Sequence, residues 1–341
     1  MEGNSENKTL VLHIGTHKTG TTALQAMLIL NQQVLARQGI VVPNTGRIHE
    51  TEDYDTPGHH ALAWEIMKPP PHELIARTID ELAASAARTA VISSEEFHPL
   101  HHRIDVMSAL RAEFAEAGYR TVVLLYLRAQ ARYAESIFQQ NIRDHRNPSF
   151  ATFIEEILAH GRIEFENARF EFEYSRMLEA LSLSFGAENI VVRPYLPDRG
   201  PEHLHQDFLR VVGMLHGSLA MDFKMTIANE SYTLRELLKA LHLNLRGETA
   251  IDDDDLLAFA RATQDNLDER MLDHRFLLLQ YAETLAFLQR FAPDNAVVAG
   301  RSGAHIPFQS PGDLPPPEHP IWSESAIHRA LFERASEAWA Q

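Results

Sequence analysis

"KTLVLHIGTHKTGTTALQAMLILNQQVLARQG", residues 8–39, decides the fold. An apolar run closes on Gly15, a lysine stands at 18, a second glycine at 20, and threonines at 21 and 22. Leu24, Met27, Leu28 and Leu35 then fall near one face of a helix that Gly39 is placed to stop. Strand, glycine-bounded turn and helix together put backbone N–H groups at the positive end of a helix dipole, which favours an anionic group. Gly15 and Gly20 have the separation of a Walker A loop, G-x-x-x-x-G-K-[ST], but position 21 is threonine and the lysine, Lys18, lies inside the loop. That placement disfavours ATPase or GTPase chemistry.

Outward from this stretch, strands are expected at 8–15, 40–43, 120–128 and 189–195, and a strand followed by a turn over 89–97. Helices are expected at 21–39, 59–67, 73–86, 104–117, 130–146, 149–160 and 166–184, with 44–72 otherwise rich in loop. The alternation argues for an α/β chain with a mainly parallel sheet flanked by helices on both faces. After about 225 the chain reads as helical. "TLRE" (233–236) has capping-box form, and "DDDD" (252–255) supplies the acidic start of another helix. The expectation is one domain over 1–341, an α/β core over about 8–225 with a helical C-terminal part over about 226–341.

The composition narrows the chemistry. With 47 acidic residues against 31 Lys plus Arg, the formal charge is −16, so nucleic acid and anionic membranes are not expected partners. There is no cysteine, which excludes disulfides, thiolate metal sites and Cys nucleophiles. "MEGNSENKT" (1–9) has no secretion-type apolar region, and no run approaches the ~20 residues of a membrane span, so the chain reads as cytoplasmic.

The pattern K-[ST]-G-T-T after a strand resembles the 5′-phosphosulfate loop of sulfotransferases that use 3′-phosphoadenosine 5′-phosphosulfate (PAPS). The matching residues are Lys18, Thr19, Gly20, Thr21 and Thr22, with His17 where family members often have proline. The resemblance implies that Lys18 contacts the bridging region of the phosphosulfate and that the Gly-Thr-Thr groups hold the 5′-phosphate. It also implies a 3′-phosphate site: an arginine ending a buried strand, then a serine eight residues on. "VVLLYLRAQARYAESIFQQ" supplies Arg128 and Ser136 at that spacing. Arginine offers a planar fork of donors suited to phosphate, and serine adds a short hydroxyl. "YLRAQ-RYAES-FQQ-IR", "SSEEF" and "NIVVRPY" are similar to the bacterial branch of the family, as is "ANESYTLRELLKALHLN", which includes Asn229 and Ser231. The glycine-rich R-K-G-x-x-G-D-W-K segment of the animal cytosolic enzymes is missing.

The resemblance implies sulfuryl transfer from PAPS, without a metal, to a hydroxyl acceptor such as a sugar, a lipid-linked glycan or a phenol. It places the general base just after the strand preceding Arg128, at Glu95 or Glu96 in "SSEEF". Neighbours on an extended segment point opposite ways, so only one of the two faces the donor; the resemblance of this stretch to an S-S-E pattern in the bacterial branch favours Glu95. Histidines are frequent, 19 in all. His98, His101 and His102 lack the H-E-x-x-H form and read as surface or acceptor-pocket groups rather than metal ligands. His59 and His60, beside Trp64, are candidates for the acceptor side. A nucleotide kinase on much the same fold is the alternative enzyme; the strongest strand ends in Arg128 rather than a Walker B aspartate. A silent nucleotide-binding module is the non-enzymatic alternative.

Overall fold

The strands are β1 (Lys8–His13), β2 (Ile40–Val41), β3 (Ile48–Thr51), β4 (Tyr54–Thr56), β5 (Thr89–Ser93), β6 (Tyr119–Leu127), β7 (Arg162–Phe165), β8 (Ala168–Glu171) and β9 (Ile190–Pro194). The structure, a computed structural model, describes residues 8–51, 54–165, 168–217, 223–224, 232–247, 251–302 and 311–340. Asn229 and Ser231 lie outside the described residues.

Five strands form one sheet in the order β2-β5-β1-β6-β9, and every neighbouring pair is parallel. A strand buried on both faces needs apolar residues at successive positions rather than alternate ones. β1 meets this with Leu10, Val11 and Leu12, and β6 with the buried run from Thr121 to Leu127. Leu12 pairs with Ile92 on one side and Val123 on the other. The chain is therefore α/β, with a parallel sheet flanked by helices, as expected.

The order of the strands positions the site. From β1 the chain crosses outward to β2 and returns through β5, whereas from β6 it proceeds the other way to β9. The carboxyl ends of β1 and β6 thus form the point at which the winding reverses, the usual place for a ligand in an open α/β sheet. One face carries α1 (Thr21–Leu30) and the helix Pro201–His216, whose Leu24, Met27, Leu28, Phe208 and Val212 pack on Val11, Val91 and Leu124. The helices Ile104–Glu116 and Tyr174–Phe185 pack against β6 and each other through buried residues such as Leu110, Phe114, Met177 and Leu181.

Two expected helices differ. The 21–39 helix is interrupted at Asn31, whose side-chain amide donates to the carbonyls of Met27 (2.8 Å) and Lys224 (2.8 Å) while its oxygen accepts from the Lys224 N–H (2.8 Å). An Asn side chain here takes the hydrogen bonds a continuing helix would use. The expected 166–184 helix begins only at Tyr174; β7 and β8 pair antiparallel ahead of it. Phe-Glu-Phe alternation over 170–172 has the strand period, which outweighs the helix-forming glutamates.

By packing, the chain divides into two compact units interleaved in sequence: residues 1–128, 173–229 and 294–307, and residues 129–172, 230–293 and 308–341. The first contains the parallel sheet. The second is mainly helical and holds an aromatic cluster in which Phe138 meets Phe150, Phe153 and Phe332 at 4.8, 5.3 and 5.4 Å between ring centres. Its buried Glu135 accepts from the N–H groups of Leu278 (2.8 Å) and Leu279 (3.0 Å) and pairs with Arg132. Thr233 and Glu236 make the expected capping box, and Asp252 caps the Asp253–Thr263 helix.

Candidate functional site

The turn after β1 is anchored to β6. Ile14 N–H donates to the Leu124 carbonyl (3.0 Å), and the Thr16 hydroxyl to the Tyr126 carbonyl (2.9 Å). Inside the turn, the Thr19 hydroxyl donates to the Thr16 carbonyl (2.6 Å), which tightens the loop on itself. Lys18 and Gly20 both adopt left-handed backbone, with φ of 65° and 77°. For a lysine this conformation costs about 1 kcal/mol, and its carbonyl is held by Arg128 Nη1–H at 2.9 Å. Gly20 suits the position for a second reason: a Cβ there would lie 2.5 Å from Leu204 Cδ2 and 3.3 Å from the Tyr195 ring, so the leucine would have to shift.

α1 starts at Thr21 with no side-chain cap and no acidic residue in its first turn. Its leading N–H groups are therefore positioned for an external acceptor, and no nearby carboxylate of that turn opposes an anion. Thr21 is buried, yet its hydroxyl has no hydrogen-bond partner among the described residues. Thr22 is exposed on the same turn. Lys18, Gly20, Thr21, Thr22 and the α1 amino end thus form a cradle whose chemistry fits a phosphate-type anion. His17 is half-buried beside His98 (5.9 Å between ring centres); burial holds its pKa below the ordinary value, against the pull of Glu96 and Glu95.

Arg128 follows β6 and is buried, with its guanidinium 5.5 Å from the centre of the Tyr195 ring. Its own carbonyl accepts the Tyr174 hydroxyl at 2.7 Å, and burial raises the pKa of that phenol. The structure therefore brings Arg128 to the loop lysine across 110 residues of chain. Ser136 lies buried on the Gln130–Arg143 helix, in the second compact unit.

β5 ends at Ser93, and Glu95 and Glu96 open a short 3-10 turn, Glu95–Leu100. The two carboxylates have different partners. Glu95 Oε2 accepts from Gln25 Nε2 on α1 at 2.8 Å and lies 3.9 Å from His60 Nδ1. Glu96 Oε2 accepts from the indole N–H of Trp64 at 3.2 Å. Glu95 is thereby tied to the helix that carries the cradle, and Glu96 to a half-exposed tryptophan. A cavity of about 330 Å³ opens beside Trp64, lined also by Lys68, Pro69, Pro71 and Glu73.

The chain resembles a solved sulfotransferase. That structure, from Alicyclobacillus acidocaldarius, matches 70% of this chain and 93% of its own length, at 16% identity and a TM-score of 0.39. An overlap this loose says nothing of what either chain binds. No protein-family model and no curated protein matches the chain.

The histidines separate by environment. His59 serves structure: its Nδ1 accepts from Ser93 N–H (3.2 Å) and its Nε2 donates to the Pro43 carbonyl (3.0 Å), while burial lowers its pKa to about 4. His98 and His101 are buried rather than on the surface. His101 Nδ1 donates to the His98 carbonyl (2.7 Å), and His98 has neither ring nitrogen hydrogen-bonded among the described residues. No group of three or more His, Asp or Glu suited to a metal occurs among the described residues. Two residues at the site carried no sequence signal. His13 ends β1 with Nδ1 on the Ser93 hydroxyl (2.8 Å) and Nε2 against Gly15. Gln25 reads as an ordinary helix position until Glu95 is placed beside it.

Proposed function

We propose that the chain is a PAPS-dependent sulfotransferase acting on a hydroxyl acceptor, and that residues 1–341 work as one catalytic module. The observation that carries the reading is the uncapped, acid-free amino end of α1 beside Lys18, with the buried Thr21 hydroxyl left open and Arg128 bonded to the same loop. An anion is what such a set of donors lacks.

PAPS supplies, when bound, an activated sulfuryl group whose leaving group is a phosphate of adenosine 3′,5′-bisphosphate. Lys18, the α1 N–H groups and the Thr21 and Thr22 hydroxyls stabilise negative charge on the 5′-phosphate as the acceptor oxygen attacks. Preorganised donors of this kind often contribute the largest single part of a rate enhancement. His17 lines the loop as a neutral imidazole. Glu95 takes the acceptor's proton, a role worth ~10²–10⁴-fold. By resemblance, Arg128 holds the 3′-phosphate and sets the choice of nucleotide. The cavity beside Trp64 receives the acceptor, its indole edge turned to Glu96 and its ring available to a sugar or phenol.

The test is sulfate transfer from labelled PAPS, without magnesium, to a panel of sugars and phenols. Transfer that disappears in Lys18→Ala is expected. Magnesium-dependent ATP turnover in its place would identify a phosphotransferase. Tight binding of adenosine 3′,5′-bisphosphate with no transfer to any acceptor would identify a silent module.

A further inference from the structure

Among the described residues, Glu95 is held through Oε2. Its Oε2 receives the amide of Gln25 at 2.8 Å, and His60 Nδ1 stands 3.9 Å from the same oxygen while bonded to the Ser94 hydroxyl at 2.7 Å. Both neighbours are buried, Gln25 to 2% exposure and His60 to 9%. They are also packed on one glycine: a Cβ at Gly58 would lie 2.6 Å from His60 Cε1 and Nε2 and 2.9 Å from Gln25 Cδ. Gly58 is not in the left-handed region, so the requirement for glycine here is one of space rather than backbone. A buried glutamine amide is desolvated without gain unless it is bonded, and this one is directed at a carboxylate.

We infer that Gln25 is a positioning residue for the reaction: it fixes Glu95 through Oε2, leaving Oε1 to accept the proton, with His60 and Gly58 completing the support. This rests on the sulfotransferase reading above. Gln25 lies four residues after Thr21 on α1, so one rigid helix bears both the phosphate cradle and the tether of the base. The distance between donor and base is then set by helix geometry rather than by a flexible loop. Preorganisation of this kind matters because a misplaced base loses rate even when the donor still binds.

The experiment is a double-mutant cycle between Gln25→Met and Glu95→Gln. It reads release of adenosine 3′,5′-bisphosphate from PAPS with phenol or water as acceptor, alongside calorimetric affinity for adenosine 3′,5′-bisphosphate. Gln25→Met is expected to lower turnover roughly 10- to 100-fold, the rate equivalent of one hydrogen bond to a carboxylate. Nucleotide affinity stays within about twofold, because α1 and its cradle remain in place. In the Glu95→Gln background the same change has no further effect, a result that a merely structural role would not give. Gly58→Ala, whose Cβ would press first on His60 and Gln25, reproduces the loss of turnover. Equal losses from Gln25→Met in both backgrounds, or no loss in either, overturn the inference and leave the sulfotransferase reading intact. Unchanged turnover in Glu95→Gln alone overturns it together with the assignment of the base. No nucleotide release by the wild-type chain overturns the underlying reading itself.

Discussion

Arg128 Nη1 donates to the carbonyl oxygen of Lys18 at 2.9 Å. The bond joins the end of β6 to the loop after β1 and holds the lysine in its left-handed conformation. Arg128 is therefore a latch on the loop, and in the proposed function also a ligand of the 3′-phosphate. The two roles separate by experiment. Arg128→Ala should weaken adenosine 3′,5′-bisphosphate by about 1.5–3 kcal/mol, the value of a hydrogen bond to a charged group. Adenosine 5′-monophosphate should lose much less. Equal losses for both nucleotides, read by calorimetry, would reduce Arg128 to the latch alone.

Gly15 tests the shape of the cradle. A Cβ there would lie 2.6 Å from Thr21 Oγ1 and 3.2 Å from His13 Nε2, so one of them must move. Gly15→Ala should destabilise the fold by about 1–3 kcal/mol, the range for overpacking, and weaken nucleotide binding at least tenfold by displacing the Thr21 hydroxyl. Denaturant titration and calorimetry measure the two effects; undisturbed binding would remove Thr21 from the site.

His13 and His59 bear on the pH dependence of stability. Burial lowers each to about 4, from an ordinary value near 6.5; at His13 the charge of Glu95 opposes the shift. Between these values the unfolded chain binds protons that the folded chain does not. Their contribution is therefore fully present above pH 6.5 and is lost as pH falls toward 4. The slope is at most about 1.4 kcal/mol per pH unit for each histidine. Urea unfolding at pH 7, 6 and 5 should show the decline, and His59→Gln should flatten it. An unchanged slope in that variant would place the pH dependence elsewhere.

Glu135 gives a test within the helical unit. Its carboxylate accepts from two successive backbone N–H groups, at Leu278 and Leu279, and pairs with Arg132. Glu135→Ala would strand both donors, at about 1–3 kcal/mol for each buried group left unsatisfied. A loss below about 0.5 kcal/mol in denaturant unfolding would mean that water replaces the carboxylate.

Local period and punctuation made the sheet and the loop legible. Leu10–Leu12 and Val122–Leu127 are short apolar runs of the length and β-branched content that suit a buried strand, and Gly15 and Gly20 bracket a turn before a helical repeat. The Thr233–Glu236 capping box was legible for the same reason, its partners being three residues apart. What escaped depends on distant chain. Asn31 interrupts its helix because Lys224 lies 193 residues away in sequence, and Gln25 gains its meaning from Glu95, 70 residues on. The helical unit, assembled from three separate stretches, follows no composition shift that a linear reading detects. His59 looked like a ligand-facing residue because nothing local reveals that Pro43 and Ser93 occupy its ring nitrogens.

In the proposed function, the loop from Gly15 to Thr22 holds the 5′ end of a 3′-phosphorylated adenine nucleotide. Calorimetric titration of the wild-type chain with adenosine 3′,5′-bisphosphate in magnesium-free buffer measures this binding. One saturable site is predicted, with micromolar or tighter affinity, about −8 kcal/mol or better, and little competition from ATP. No binding, or binding of ATP alone and only with magnesium, would contradict it.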